Sequence, residues 1–142
     1  MKFWDSSAIV PLVFSERTTP EVLQWYRDDS HILVWALTST EVVSALYRRF
    51  REGSVTAGEL SDSCQLLHDL REDWNEVEAL ELVKQRAERL LRVHPLRAAD
   101  SLQLGAALLA TQEQPEGIGF VSYNQNLTTA AYKEGFTVLP AG

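Results

Sequence analysis

HILVWALTSTE, residues 31–41, is the stretch on which the fold turns. From His31 to Ala36 the run is apolar without alternation, which suits a strand covered on both faces, as in a parallel sheet. Directly after it, Thr38-x-x-Glu41 has the spacing of a capping box, so a helix is expected to start there and reach about Glu52, before Gly53. A buried strand feeding straight into a helix is half of a β-α-β unit, and the same pattern recurs on either side. Upstream, Lys2 to Asp5 reads as a short strand, Ser6-Ser7 open an apolar helix, and Pro11 falls near its first turn. Thr19-Pro20 reads as an N-cap followed by proline at the first helical position, in a helix running to about Asp29.

Downstream, Thr56-x-x-Glu59 repeats the capping-box spacing, and Leu60, Cys64, Leu67 and Leu70 keep a helical period. Trp74 to Val77 is expected as a short third strand, followed by a helix from about Ala79 to Arg92 that stops before Pro95. Leu96 to Ala110 is apolar nearly all round and should lie inside. Gly105 within it costs roughly 1 kcal/mol relative to alanine, which close approach of another backbone would explain. Ile118 to Ser122 reads as a fourth strand, Gln125 to Glu134 as a helix closed by Gly135, and Phe136 to Leu139 as the last strand. The alternation predicts an α/β fold in which helices cover a doubly wound parallel sheet, as a single domain over residues 1–142.

The apolar content of 45% against 23% charged residues is globular and excludes a disordered chain. Apolar runs such as Ala8 to Phe14 fall well short of the ~20 residues that cross a bilayer. The first residues lack a secretory signal pattern, so no membrane association and a cytoplasmic location are expected. Cys64 is the only cysteine, which removes disulfides and thiolate cages; its place on an apolar stripe suits a small core residue. His31, His68 and His94 have no metal-ligand spacing. A net charge of −7 argues against nucleic-acid capture by a broadly basic surface.

Ligands of such sheets bind outside the carboxyl ends of the strands, where strand order reverses. Asp5 ends the first strand and would project into that crevice, or cap the helix that follows. Glu41 begins another helix near the crevice, or serves only as the acid of its capping box. Asp100 sits among Ala98, Ala99, Leu102 and Leu104, where an acid is costly to bury unless it faces a cation; a helix N-terminus or Arg97 would also account for it. Two carboxylates ~5 Å apart at an effective dielectric near 20 repel by about 3 kcal/mol, so three converging acids imply bound metal. Oxygen donors without His or Cys suit Mg²⁺ or Mn²⁺, and such a site can polarise a phosphodiester and activate a water. Glu41, Ser44 and Arg48 form one polar stripe, which would bring Arg48 to a phosphate near Glu41 or leave it solvated.

Taken in order, Phe3-Trp4-Asp5-Ser6-Ser7-Ala8, Thr38-Ser39-Thr40-Glu41-Val42-Val43-Ser44, Leu96-Arg97-Ala98-Ala99-Asp100-Ser101-Leu102 and Phe120-Val121-Ser122-Tyr123-Asn124 resemble the PIN-domain ribonucleases, and among them the VapC-type toxins of toxin–antitoxin pairs. The resemblance spans nearly the whole chain. It implies an α/β/α sandwich with a central parallel sheet and an endoribonuclease site in which Asp5, Glu41 and Asp100 are catalytic and hold Mg²⁺ or Mn²⁺. Ser6, Ser122 and Asn124 would orient that shell. It also implies an RNA substrate, a small antitoxin protein as partner, and a homodimer. Many members carry a fourth acid where this chain has Asn124, which leaves one ion or two open. Two other readings stand beside it: a PIN-fold interaction module without turnover, motivated by Asn124, and phosphotransfer through Asp5, which lacks a second Asp two residues on and has Lys133 on a helix.

Overall fold

A computed structural model describes residues 1–141 of the chain. Five strands alternate with seven helices: β1 (Lys2–Trp4), α1 (Ser6–Val13), α2 (Thr19–Asp28), β2 (Ile32–Trp35), α3 (Thr38–Arg51), α4 (Ala57–Asp73), β3 (Asn75–Val77), α5 (Leu80–Leu91), α6 (Ala98–Ala110), β4 (Gly119–Val121), α7 (Gln125–Glu134) and β5 (Thr137–Leu139). The strands form one sheet in the order β3-β2-β1-β4-β5, every neighbouring pair parallel. Parallel pairing needs crossovers, and the helices supply them.

Strand period two divides the core into two layers. Trp4, Ile32, Val34 and Val121 face one side and pack with Ala8 and Ile9 of α1, Val22 of α2, Val42 and Leu46 of α3, and Leu60 and Leu67 of α4. Phe3, Leu33, Trp35 and Phe120 face the other and pack with Val83 and Leu90 of α5, Leu104 and Leu108 of α6, and Leu127 and Ala131 of α7. Phe3 stacks on Phe120 at 5.3 Å across the β1–β4 pair. The result is the expected α/β/α sandwich, with α1 to α4 on one face and α5 to α7 on the other.

Helix α6 lies against α5 and the sheet, as its all-round apolar surface predicts. Gly105 is the point of closest approach: a Cβ there would stand 3.2 Å from both the Ala87 nitrogen and the Val83 carbonyl oxygen of α5. Gly135 closes α7 in the left-handed region at φ +113°, the role expected of it.

Three local expectations differ from what is observed. Thr56 and Glu59 form a complete capping box at α4, whereas Thr38 and Glu41 form none, because Leu37 is the N-cap and Thr38 is the first, fully buried residue of α3. Thr18, not Thr19, precedes α2; the Thr19 hydroxyl accepts from the Glu16 N–H and donates to the Pro11 carbonyl, both at 2.8 Å. Pro11 lies within α1, beyond its first turn. Cys64 and Trp25 pack against the first core layer, and Trp74 is buried in it. His94 is buried against Glu134 at 2.6 Å, a structural role.

Candidate active site

Strand order reverses at β1. The chain leaves β1 through helices on one face to reach β2, while β4, the neighbour on its other edge, is entered from α6 on the opposite face. The crevice beyond β1 and β4 is therefore where a ligand is expected. Asp5 follows β1, and Ser122 and Asn124 follow β4, with the Asp5 N–H donating to the Val121 carbonyl at 2.9 Å.

Asp5 is 4% exposed and fills one of the two roles expected of it, the cap of α1. Its Oδ2 caps α1, accepting from the Ser7 N–H at 3.4 Å, and also accepts from the hydroxyls of Ser7 at 2.6 Å and Ser122 at 2.8 Å. Oδ1 has only the long 3.5 Å contact from Ser6. One oxygen is thus spent on structure and the other is only weakly engaged. Ser7 was not singled out by sequence, yet its Oγ also accepts from the Tyr123 N–H at 2.8 Å and lies 3.3 Å from Ser122 Oγ, tying the start of α1 to the end of β4.

Glu41 projects from the first turn of α3, and its Oε1 accepts a 2.6 Å hydrogen bond from Gln103 Nε2 of α6. Burial pushes its carboxyl up to about 7; the Gln103 bond opposes that shift, and the charges of Asp5 and Asp100 add to it. Asp100, in the first turn of α6, is also raised above the ordinary carboxylate range, first by burial. The Asn124 amide beside it pulls the other way, Asp5 raises it further, and the charge and backbone N–H of Arg97 lower it. Asn124 Oδ1 caps α7 by accepting from the Leu127 N–H at 3.1 Å. Ser122 Oγ, besides its bond to Asp5, accepts from the Asn124 N–H at 3.0 Å.

The three acids named from sequence therefore lie in one another's field, delivered by β1, α3 and α6. Among the described residues no group of three or more Asp, Glu, His or Cys side chains is close enough to hold a metal ion together, so the acids share a field without forming a ligand set. Their chemistry fits a hard divalent cation: oxygen donors only, two of them held above their ordinary pKa by burial and mutual repulsion. Lys133 is exposed in the last turn of α7, away from the strand ends, which removes the support a phosphotransfer site would need.

A cleft of about 1070 Å³ lies between α1 and α3, lined by Ser6, Ser7, Glu41, Ser44 and Arg48 among others; Glu41 is the one of the three acids in its lining. Arg49 in its wall is paired with Glu16 and lies over the Phe14 ring, whereas exposed Arg48 has no ion pair among the described residues. A second hollow of about 710 Å³ beside α7 and β5 has no acid in its lining.

No protein-family profile matches the sequence. Two curated relatives, ribonuclease VapC45 and ribonuclease VapC49 from two strains of Mycobacterium tuberculosis, are each 30% identical to it over 139 residues, covering 98% of this chain and 94% of theirs. In three dimensions the crystal structure of PAE2754 from Pyrobaculum aerophilum superposes with a TM-score of 0.63 over 97% of this chain and 88% of that one. At 16% identity that likeness is one of fold.

Proposed function

The chain belongs to the VapC ribonuclease family, and from that membership we propose that it is an endoribonuclease of the toxin type, hydrolysing RNA with Mg²⁺ or Mn²⁺ held by Asp5, Glu41 and Asp100. The observation that carries the metal part is the meeting of the acids at the crevice where strand order reverses: burial raises Glu41 and Asp100 first, and the charges of Asp5 and Asp100 on Glu41, and of Asp5 on Asp100, add to it.

A divalent cation bound there would polarise the scissile phosphodiester and lower the pKa of water. Asp5 would hold the ion while Ser7 and Ser122 fix one of its oxygens. Asp100, steadied by the Asn124 amide, would supply the second carboxylate. Glu41 joins them or orients the attacking water. Ser6 lies beside Asp5 Oδ1, and Arg48, further along the cleft, offers a cation to the RNA backbone. With Asn124 committed to capping α7 and bringing no charge, the donor set favours one ion over two. In this reading the whole chain, residues 1–142, acts as one nuclease unit, pairs as a homodimer and is restrained by a small antitoxin protein. An RNA substrate and an antitoxin partner put its action in the cytoplasm.

The test is cleavage of a structured RNA by the purified protein. Activity should stop with EDTA, return with Mn²⁺, and fall at least ~100-fold in Asp5→Asn protein whose circular dichroism is unchanged. Cleavage that persists in EDTA would refute the assignment.

A further inference from the structure

Gln103 is 0% exposed, in a helix whose other buried residues include Leu104, Ala106, Ala107 and Leu108. A buried amide in such company needs its hydrogen bonds made. Nε2 has two hydrogens, and both are committed: one to Glu41 Oε1 at 2.6 Å, the other to Thr38 Oγ1 at 3.1 Å. The amide oxygen meets the same Thr38 hydroxyl at 3.4 Å. Turning the amide over would set its oxygen against the Glu41 carboxylate and give up that 2.6 Å bond, whereas Thr38 can meet either atom, so Glu41 sets the orientation.

Both partners lie in the first turn of α3, while Gln103 follows Asp100 by one turn on α6. Side chains three apart on a helix share a face. Helix α6 thus presents one acid of the site and, on the same face, the group that grips another acid arriving from α3. With Thr38 inside the helix and no capping box to close, the Glu41 carboxylate bonds across to Gln103 instead.

We infer that Gln103 is a positioning residue of the ribonuclease site, its buried amide, anchored by Thr38, fixing the Glu41 carboxylate in register with Asp5 and Asp100; this rests on the ribonuclease reading and deepens it. Gln103 has no access to solvent and cannot touch RNA. Its removal should therefore lower turnover and ion affinity while leaving substrate binding alone.

The experiment uses the full chain with Gln103→Met, which keeps volume and removes the donors, and Thr38→Val, which removes only the anchor. Gln103→Met should retain its cooperative melt and bind Mn²⁺ ~10-fold more weakly by calorimetric titration in the absence of RNA. Its kcat should fall ~10–100-fold with KM within about twofold of wild type. Thr38→Val should move kcat and Mn²⁺ affinity the same way by a few-fold, and carries the test if Gln103→Met does not fold. Unchanged kcat and Mn²⁺ affinity, or a loss confined to KM, would overturn the positioning role. A wild type without EDTA-sensitive cleavage would sink the ribonuclease reading instead, and the Mn²⁺ titrations would still decide whether Gln103 orders the acids.

Discussion

Replacing Glu41 by glutamine measures the burial of this acid, and its crowding by the other two, as a pH-dependent stability. In the ion-free folded protein, burial, with Asp5 and Asp100 adding to it, raises this carboxyl from its ordinary 4.5 to about 7. The unfolded chain titrates near the ordinary value. Between those two limits folding takes up a proton, so stability falls as pH rises; the contribution is complete below the lower limit and lost above the upper one. At 1.36 kcal/mol per pH unit the span is about 3 kcal/mol, which solvent screening in the open cleft reduces to roughly 1–2 kcal/mol. Glutamine removes the charge and keeps a carbonyl acceptor for Gln103. In EDTA at pH 8, Glu41→Gln should therefore melt about 3–8 °C above wild type, and at pH 4.5 the two should coincide. Saturating Mn²⁺ should reverse the order at pH 8, because the ion stabilises the protein that binds it better. The reasoning fails if the variant melts at or below wild type in EDTA at pH 8, or if the gap is the same at both pH values.

Arg48→Gln should weaken RNA binding and reduce the slope of log affinity against log salt by about 0.7, with no change in melting temperature, since Arg48 is exposed and unpaired among the described residues. Fluorescence anisotropy with Asp5→Asn protein reads the slope, and an unchanged value removes Arg48 from the RNA path. Thr56→Ala should cost about 1 kcal/mol by opening the capping box of α4, seen as a melting point lower by roughly 3–4 °C. RNA cleavage at 25 °C should be untouched, and a matching loss of turnover would mean that α4 reaches the site in a way its position does not suggest.

The strands were legible because a parallel sheet buries both faces and leaves continuous apolar runs; those at residues 32–35 and 119–121 stand where expected, each shorter than its run by a residue at either end. The two Thr-x-x-Glu motifs mark the limit of local reading. Thr56 is exposed and finds only Glu59, so the local rule holds; Thr38 is buried, and both it and Glu41 find Gln103, 65 and 62 residues away. No window along the chain contains that competition. Asp5 was legible from its place at a strand end, whereas Ser7 gains its role only because β4 lies beside β1, and strand order is a property of the assembled sheet. Gln103 was hidden by its apolar neighbours, since an amide in such a helix looks incidental until its partners are known. The likeness to VapC toxins pointed to three acids and to Ser122 beside Asp5; Ser7 and Gln103, which hold Asp5 and Glu41, came from the fold.

The absent side chain at Gly105 makes α5 a gauge for a site to which it contributes nothing. Where two helices meet backbone to backbone, their spacing is fixed by the thickness of the main chain and cannot be retuned by a change of rotamer. Asp100 and Gln103 ride on the same rigid rod, so a methyl group at Gly105 would displace both together, by a few tenths of an ångström and in one direction. Asp5 and Glu41, on the opposite wall, would stay behind. Sequence drift at this one position thus changes the dimensions of the acidic crevice without altering any residue in it, and a scan confined to the crevice would never register the cause.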